Sequence, residues 1–149
     1  PQTVLDYGCG TGRLAAYFLP ARYTGYDTSP AMLAVAAREF PRHRFLNELP
    51  AGRRFGAVVC NSMCQYLAAG PWAEALRDIA GRALRTALIE TYDGPYREGQ
   101  DGGDARTYIR PDADYRVILE EFGEVERRVL APDPRGALAL YTVVLYPGA

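Results

Sequence analysis

The chain has 149 residues, 48% hydrophobic and 23% charged, with a formal net charge of −1. That length suits one domain able to bury a core, and the near-neutral balance leaves no electrostatic footprint for nucleic acid or an anionic membrane. All 17 basic residues are arginines, which excludes Schiff-base and phosphate-loop lysine chemistry within these residues.

The first element is an apolar run, Thr3 to Asp6, that ends in an acid. Gly8, Gly10 and Gly12 then alternate with Tyr7, Cys9 and Thr11. A helix-compatible segment, Arg13 to Leu19, follows and is closed by Pro20. This reads as a buried strand, a tight turn and a helix N-terminus. The glycines allow positive φ and let a ligand lie against the backbone. Asp6 places a carboxylate at the carboxyl edge of the sheet, where open α/β sheets bind ligands. A dinucleotide fingerprint would need Gly or Ala where Arg13 stands, so a nicotinamide-dependent oxidoreductase is the weaker reading.

A second strand, Arg22 to Asp27, also ends in an acid, nineteen residues after Gly8. That is about the separation at which such folds place a ribose-binding carboxylate. Thr28 or Ser29 caps the next helix, with Pro30 in its first turn and Ala31 to Phe40 as its body. Arg44 to Leu46 is a short third strand, followed by Asn47, Glu48, Leu49 and Pro50. His43 precedes it, at the end of the sheet away from the ligand edge, and reads as structural. Phe55 to Asn61 is a nearly continuous apolar fourth strand, suited to a sheet covered on both faces. It runs into Ser62, Met63, Cys64, Gln65 and Tyr66.

A helix opens at Pro71, with Trp72, Ala75, Leu76, Ile79 and Ala83 at core spacing. Thr86 to Thr91 is a fifth strand. Tyr92 to Arg110, with Gly94, Pro95, Gly99, Gly102 and Gly103, reads as a structureless lid loop. Pro111 to Glu121 forms a helix. Glu124 to Leu130 and Leu138 to Tyr146 form an antiparallel pair joined by a turn at 132–136. The three cysteines, Cys9, Cys60 and Cys64, lack metal-ligand spacing. With no secretory signal and no apolar run of membrane-spanning length, a reduced, cytoplasmic protein is expected. The carboxylates are likewise not clustered as metal ligands.

Taken together, VLDYGCGTG, Asp27 and FGAVVCNSMCQYL resemble the class I S-adenosylmethionine-dependent methyltransferases. The resemblance runs the length of the chain. It implies a Rossmann-like, doubly wound α/β fold: a seven-stranded sheet, mostly parallel, with an antiparallel C-terminal β-hairpin. It implies one methyltransferase domain over 1–149, lacking the N-terminal helical cap segment common in the family. The cofactor is then S-adenosyl-L-methionine, with S-adenosyl-L-homocysteine as product. Its expected site comprises Asp6, Gly8, Cys9, Gly10, Gly12, Asp27, Thr28, Met32, Asn47, Glu48, Leu49, Asn61, Ser62 and Met63. Asp27 would take the ribose and Asn47 or Glu48 the adenine amino group; the residues after the fourth strand would approach the sulfonium and the acceptor. No metal is expected.

The implied reaction is in-line methyl transfer to a small-molecule acceptor, with no nucleic-acid or membrane partner. The Asn-Pro-Pro-Tyr tetrad of enzymes that methylate nucleobase amines is absent. Tyr66 and Asp93 are the expected groups to orient or deprotonate the acceptor. Two other readings keep part of this picture: a non-catalytic cofactor-binding module, or one part of a larger methyltransferase.

Overall fold

A computed structural model describes residues 2–100, 105–133 and 136–146. Its main sheet has seven strands, in the order β3-β2-β1-β4-β5-β9-β8. In chain order these are β1 (Val4–Tyr7), β2 (Tyr23–Tyr26), β3 (Arg44–Leu46), β4 (Phe55–Asn61), β5 (Ala83–Asp93), β8 (Gly123–Asp133) and β9 (Gly136–Leu145). Strands β1 to β5 are parallel, and β9 runs antiparallel between β5 and β8. The order reverses between β1 and β4, so the ends of β1, β2 and β4 open a crevice at the carboxyl edge. The C-terminal pair is the expected antiparallel hairpin; Pro134 and Arg135 of its turn lie outside the described residues.

The core fills one face. Leu5 and Tyr7 of β1, Val58 and Cys60 of β4, and Ala87 and Ile89 of β5 face it at the two-residue period of a strand. Against them pack Trp72, Ala75, Leu76 and Ile79 of α2 (Ala69–Arg82) and Tyr115, Ile118 and Leu119 of α3 (Asp112–Leu119). These are the helical-period positions of the sequence. On the other face lies α1 (Pro30–Glu39), with Pro30 at its start and the Ser29 Oγ accepting the Met32 N–H at 3.3 Å.

Two expected elements differ. The segment after the glycine turn is a 3₁₀ turn, Arg13–Tyr17, rather than a helix reaching Leu19. Gly12, in the left-handed region, offers no side-chain cap, and Leu19, preceding Pro20, is held extended at φ −64°, ψ 135°. Between these limits the run is too short to sustain an α-helix by itself. Tyr17 and Leu19 are left exposed over a shallow apolar groove that also touches Val4, Val59 and Leu88.

The run from Tyr92 to Arg110 is not structureless. Strand β5 continues to Asp93, and β6 (Arg97–Gln100) pairs antiparallel with β7 (Arg106–Ile109). The Gly94 N–H donates to the Arg110 carbonyl at 2.9 Å, closing the base of this ribbon. Gly102 and Gly103 of the expected lid loop lie outside the described residues.

The end of β5 is pinned to the hairpin by a buried ion pair. Arg127 of β8 donates Nε and Nη2 to the two carboxylate oxygens of Asp93, each at 2.6 Å. The Tyr141 hydroxyl of β9 also donates to that carboxylate. Asp93 is 1% exposed, so removing one partner strands a charge away from water. Arg127→Met is expected to cost about 3 kcal/mol, read as a lowered denaturant midpoint. Adding Asp93→Asn should recover part of the loss; no recovery would mean that the carboxylate is not what Arg127 neutralises.

Candidate functional site

The three glycines after β1 have φ of 77°, 53° and 79°, so each occupies backbone that L side chains rarely adopt. Their surroundings separate them. A Cβ on Gly8 would lie 2.6 Å from Met63 Cγ, and one on Gly12 would lie 3.0 Å from both Ala36 and Phe45. A Cβ on Gly10 would meet nothing within 4 Å. Gly8 and Gly12 therefore let the turn pack against Met63, Ala36 and Phe45, while a side chain at Gly10 would meet open space.

The turn is fixed by β2. The Gly8 and Cys9 N–H groups both donate to the Tyr26 carbonyl at 2.8 Å. Asp27, one residue on, accepts from the Gly10 N–H on Oδ2 and from the Ser29 N–H on Oδ1, each at 2.9 Å. One carboxylate thus joins the glycine turn to the start of α1. Each of its oxygens still has acceptor capacity for a ligand hydroxyl.

Two cavities open along this edge and share only Gly8. The smaller, about 280 Å³, is lined by Asp6, Cys9, Gly10, Thr11, Arg13, Leu14, Met32, Asn61 and Ser62 as well as Gly8. The larger, about 470 Å³, lies under Asp27, Thr28, Met63 and Tyr66 and is walled by Tyr7, Tyr26 and the α2 carboxylates Glu74 and Asp78. A long ligand with a compact polar end and a flat, largely apolar end fits this shape, with Asp27 at the joint.

Polar groups in the small cavity are tightly held. Asp6 is 2% exposed and accepts the Tyr23 hydroxyl at 2.6 Å. Burial pushes its carboxyl up to about 6, against the pull of the Tyr23 hydroxyl; Asp27 adds to the rise and Arg13 opposes it. Burial also raises the Cys9 thiol, which is an uncharged wall. Arg13 donates to Asn61 Oδ1 at 3.3 Å. Ser62 has φ 52°, a strained value for a residue with a side chain. Glu90 of β5 holds it there, accepting the Ser62 N–H on its carbonyl and the Ser62 hydroxyl on Oε1, both at 2.9 Å.

Of the residues expected from sequence, Asp6, Gly8, Cys9, Gly10, Asp27, Thr28, Met32, Asn61, Ser62, Met63 and Tyr66 line one or other cavity. Asn47 and Glu48 are exposed and line neither, and Leu49 packs against the core instead. Gly12 sits under α1 and β3. Asp93 is corrected: its carboxylate is taken up by Arg127 and Tyr141 and lines neither cavity. Its place in this structure is that of an ion-pair partner at the end of β5. His43 is structural as expected, its Nε2 bonded to the Phe18 carbonyl at 2.9 Å. Sequence reasoning missed Arg13, Glu74 and the paired Tyr7 and Tyr26. The tyrosines occupy equivalent last positions of adjacent strands, in direct register, a signal that alternation alone could have given.

A family model described as a methyltransferase domain matches residues 5–86, more than half of the chain. Demethylmenaquinone methyltransferase of Chlorobaculum tepidum is 50% identical over 46 residues, which cover 29% of this chain and 19% of that protein. The chain thus matches about a fifth of the length of that curated relative. A sugar N-methyltransferase from Streptoalloteichus superposes with a TM-score of 0.77 at 22% identity, covering 97% of this chain and 80% of that one. Magnesium protoporphyrin IX methyltransferase from Synechocystis, solved with bound S-adenosylmethionine, superposes at 0.75 with 18% identity, covering 96% and 70%. At these identities the structural matches establish the fold.

Two outcomes follow from the geometry. Gly12→Ala should destabilise the protein more than Gly10→Ala, because only the former adds a clash with Ala36 and Phe45 to the roughly 1 kcal/mol backbone cost common to both; equal losses in chemical denaturation would refute this. Asp6 gives a pH signature. Its folded pKa of about 6 exceeds the ordinary carboxylate value of 3.8, so between these values the folded protein holds a proton that the unfolded chain has lost. Stability from this group therefore falls as pH rises through that window, by up to ~3 kcal/mol. Asp6→Asn should abolish that fall, and an unchanged stability profile from pH 4 to 7 would contradict the assignment.

Proposed function

Because the chain belongs to the methyltransferase-domain family, whose cofactor is S-adenosylmethionine, we propose that it holds this cofactor across the two cavities and methylates a small-molecule acceptor. The observation that carries this reading is the Asp27 carboxylate, which lines the larger cavity and accepts the N–H of Gly10, a lining residue of the smaller one. It can accept from ribose hydroxyls while keeping the turn closed. The larger cavity, with Met63, Thr28 and Tyr26 among its walls, suits a flat base. The smaller, with Arg13, Asp6 and Asn61, suits a charged amino-acid end.

When bound, the cofactor supplies a methyl group already activated by its sulfonium. The protein's task is then to align the acceptor and exclude water. Strain at Ser62 and the Glu90 bonds fix the backbone just after β4, where alignment would be set. With Asp93 committed to its ion pair, Tyr66 on the rim of the larger cavity is the remaining sequence-derived candidate for orienting the acceptor. Positioning, not a dedicated base, is the chemistry these residues support.

The names of the structural neighbours, a sugar and a porphyrin methyltransferase, support a small-molecule acceptor. So does the absence of any basic surface composition suited to nucleic acid. We read residues 1–149 as one methyltransferase domain. Its three buried, free cysteines suit a reducing compartment such as the cytoplasm.

Isothermal titration with S-adenosylhomocysteine tests the reading. Asp27→Ala should weaken binding roughly tenfold to a hundredfold, the loss typical of charge-assisted hydrogen bonds. Unchanged affinity would remove Asp27 from the site, and transfer of a labelled methyl group to an acceptor pool would establish activity.

A further inference from the structure

We propose that the edge strand β8 pairs antiparallel with β8 of a second copy of this chain, about a two-fold axis at Arg127, joining two seven-stranded sheets into one. The main sheet ends in β3 on one side and β8 on the other. Strand β3 is only three residues long, Arg44–Leu46, and offers little to a partner. Strand β8, Gly123–Asp133, has 11 residues. Along its outer side runs a row of backbone N–H and C=O groups that no described strand takes up.

Over 123–129 the ladder between β8 and β9 is regular, and a bulge between Val129 and Ala131 ends that stretch. Successive side chains alternate between the two faces of the sheet. Val125 packs on the core side, so Arg127 and Val129 share its face. Glu124, Glu126 and Arg128 stand exposed on the other. Among the described residues, none of these three charges has an ion-pair partner. Val129, an aliphatic side chain in a strand, is left 46% exposed.

The order of these residues is self-complementary when the strand is inverted. In a two-fold interface each contact occurs twice. With the axis at Arg127, Glu126 of each copy faces Arg128 of the other, and Val125 of each faces Val129. Opposite charges and β-branched pairs set directly across two strands are both favourable. An axis at Glu126 or at Arg128 would instead set like charges opposite one another. Arg127 does face its own counterpart, but its guanidinium is turned inward across β9 and held by both oxygens of Asp93. The bulge confines regular pairing to 125–129. Strands β5 and β9 separate this edge from β4, so the pairing leaves both cavities open.

Sedimentation equilibrium tests the proposal, run up to about 1 mM protein because one strand per partner makes a small contact. The wild-type protein should pass from monomer to dimer as concentration rises. Glu126→Arg and Arg128→Glu each bring like charges together across the axis, twice per dimer. Each alone should weaken self-association at least about tenfold, with an unchanged denaturant midpoint showing that the variant is folded. The double variant, Glu126→Arg with Arg128→Glu, exchanges the charges, keeps both pairs and should dimerise as the wild type does. An equimolar mixture of the two single variants should form the mixed dimer. A wild-type protein that stays monomeric throughout overturns the proposal. So does a dimer indifferent to the single substitutions, or a double variant that associates no better than they do.

Discussion

One carboxylate sets the geometry of the carboxyl edge. Asp27 accepts the Gly10 N–H on one oxygen and the Ser29 N–H on the other, so the turn after β1 and the start of α1 share a single anchor. Without it, the Gly10 N–H would lose this acceptor. The bonds from Gly8 and Cys9 to the Tyr26 carbonyl hold the same turn from below. Because β1 and β2 are adjacent and parallel, a carboxylate at the end of one strand is delivered directly to the loop leaving the other. Topology, not a long-range coincidence, makes the contact.

The two buried acids at strand ends take opposite roles because their surroundings differ. Asp6 has the Tyr23 hydroxyl but little water, and its carboxyl is pushed upward. Asp93 has a guanidinium fork and a tyrosine hydroxyl, and those partners make it a clasp between β5 and the C-terminal hairpin. A carboxylate so satisfied is well placed to hold the sheet together and poorly placed to take a proton from an acceptor. The division of labour is therefore spatial. The crevice over β1, β2 and β4 carries the open, ligand-facing groups, and the antiparallel edge carries the closed, structural ones.

Much of this was legible in the sequence because it is local. Glycine spacing, the acids ending β1 and β2, the apolar run of β4 and the Ser29-Pro30 helix start each depend on a few neighbouring residues. The fold class followed from their order, and the structural matches agree with it. What was not legible depends on partners far away in the chain. Nothing around Asp93 announces Arg127 or Tyr141, which are 34 and 48 residues distant. Nothing in Gly8, Gly10 and Gly12 reveals that an added side chain would meet protein at two of them and open space at the third. The β6–β7 ribbon was hidden because glycine and charge mask its alternation, and the first crossover shrank to a 3₁₀ turn because Pro20 constrains Leu19.

The central claim is that this edge, and not another surface of the molecule, holds the cofactor. Amide chemical-shift mapping on titration with S-adenosylhomocysteine tests it most directly. The account predicts the largest shifts at Gly8, Gly10, Ser29 and Asn61, with Tyr17 and Leu19 over the apolar groove unmoved. Shifts centred on that groove, or none at saturating ligand, would contradict it.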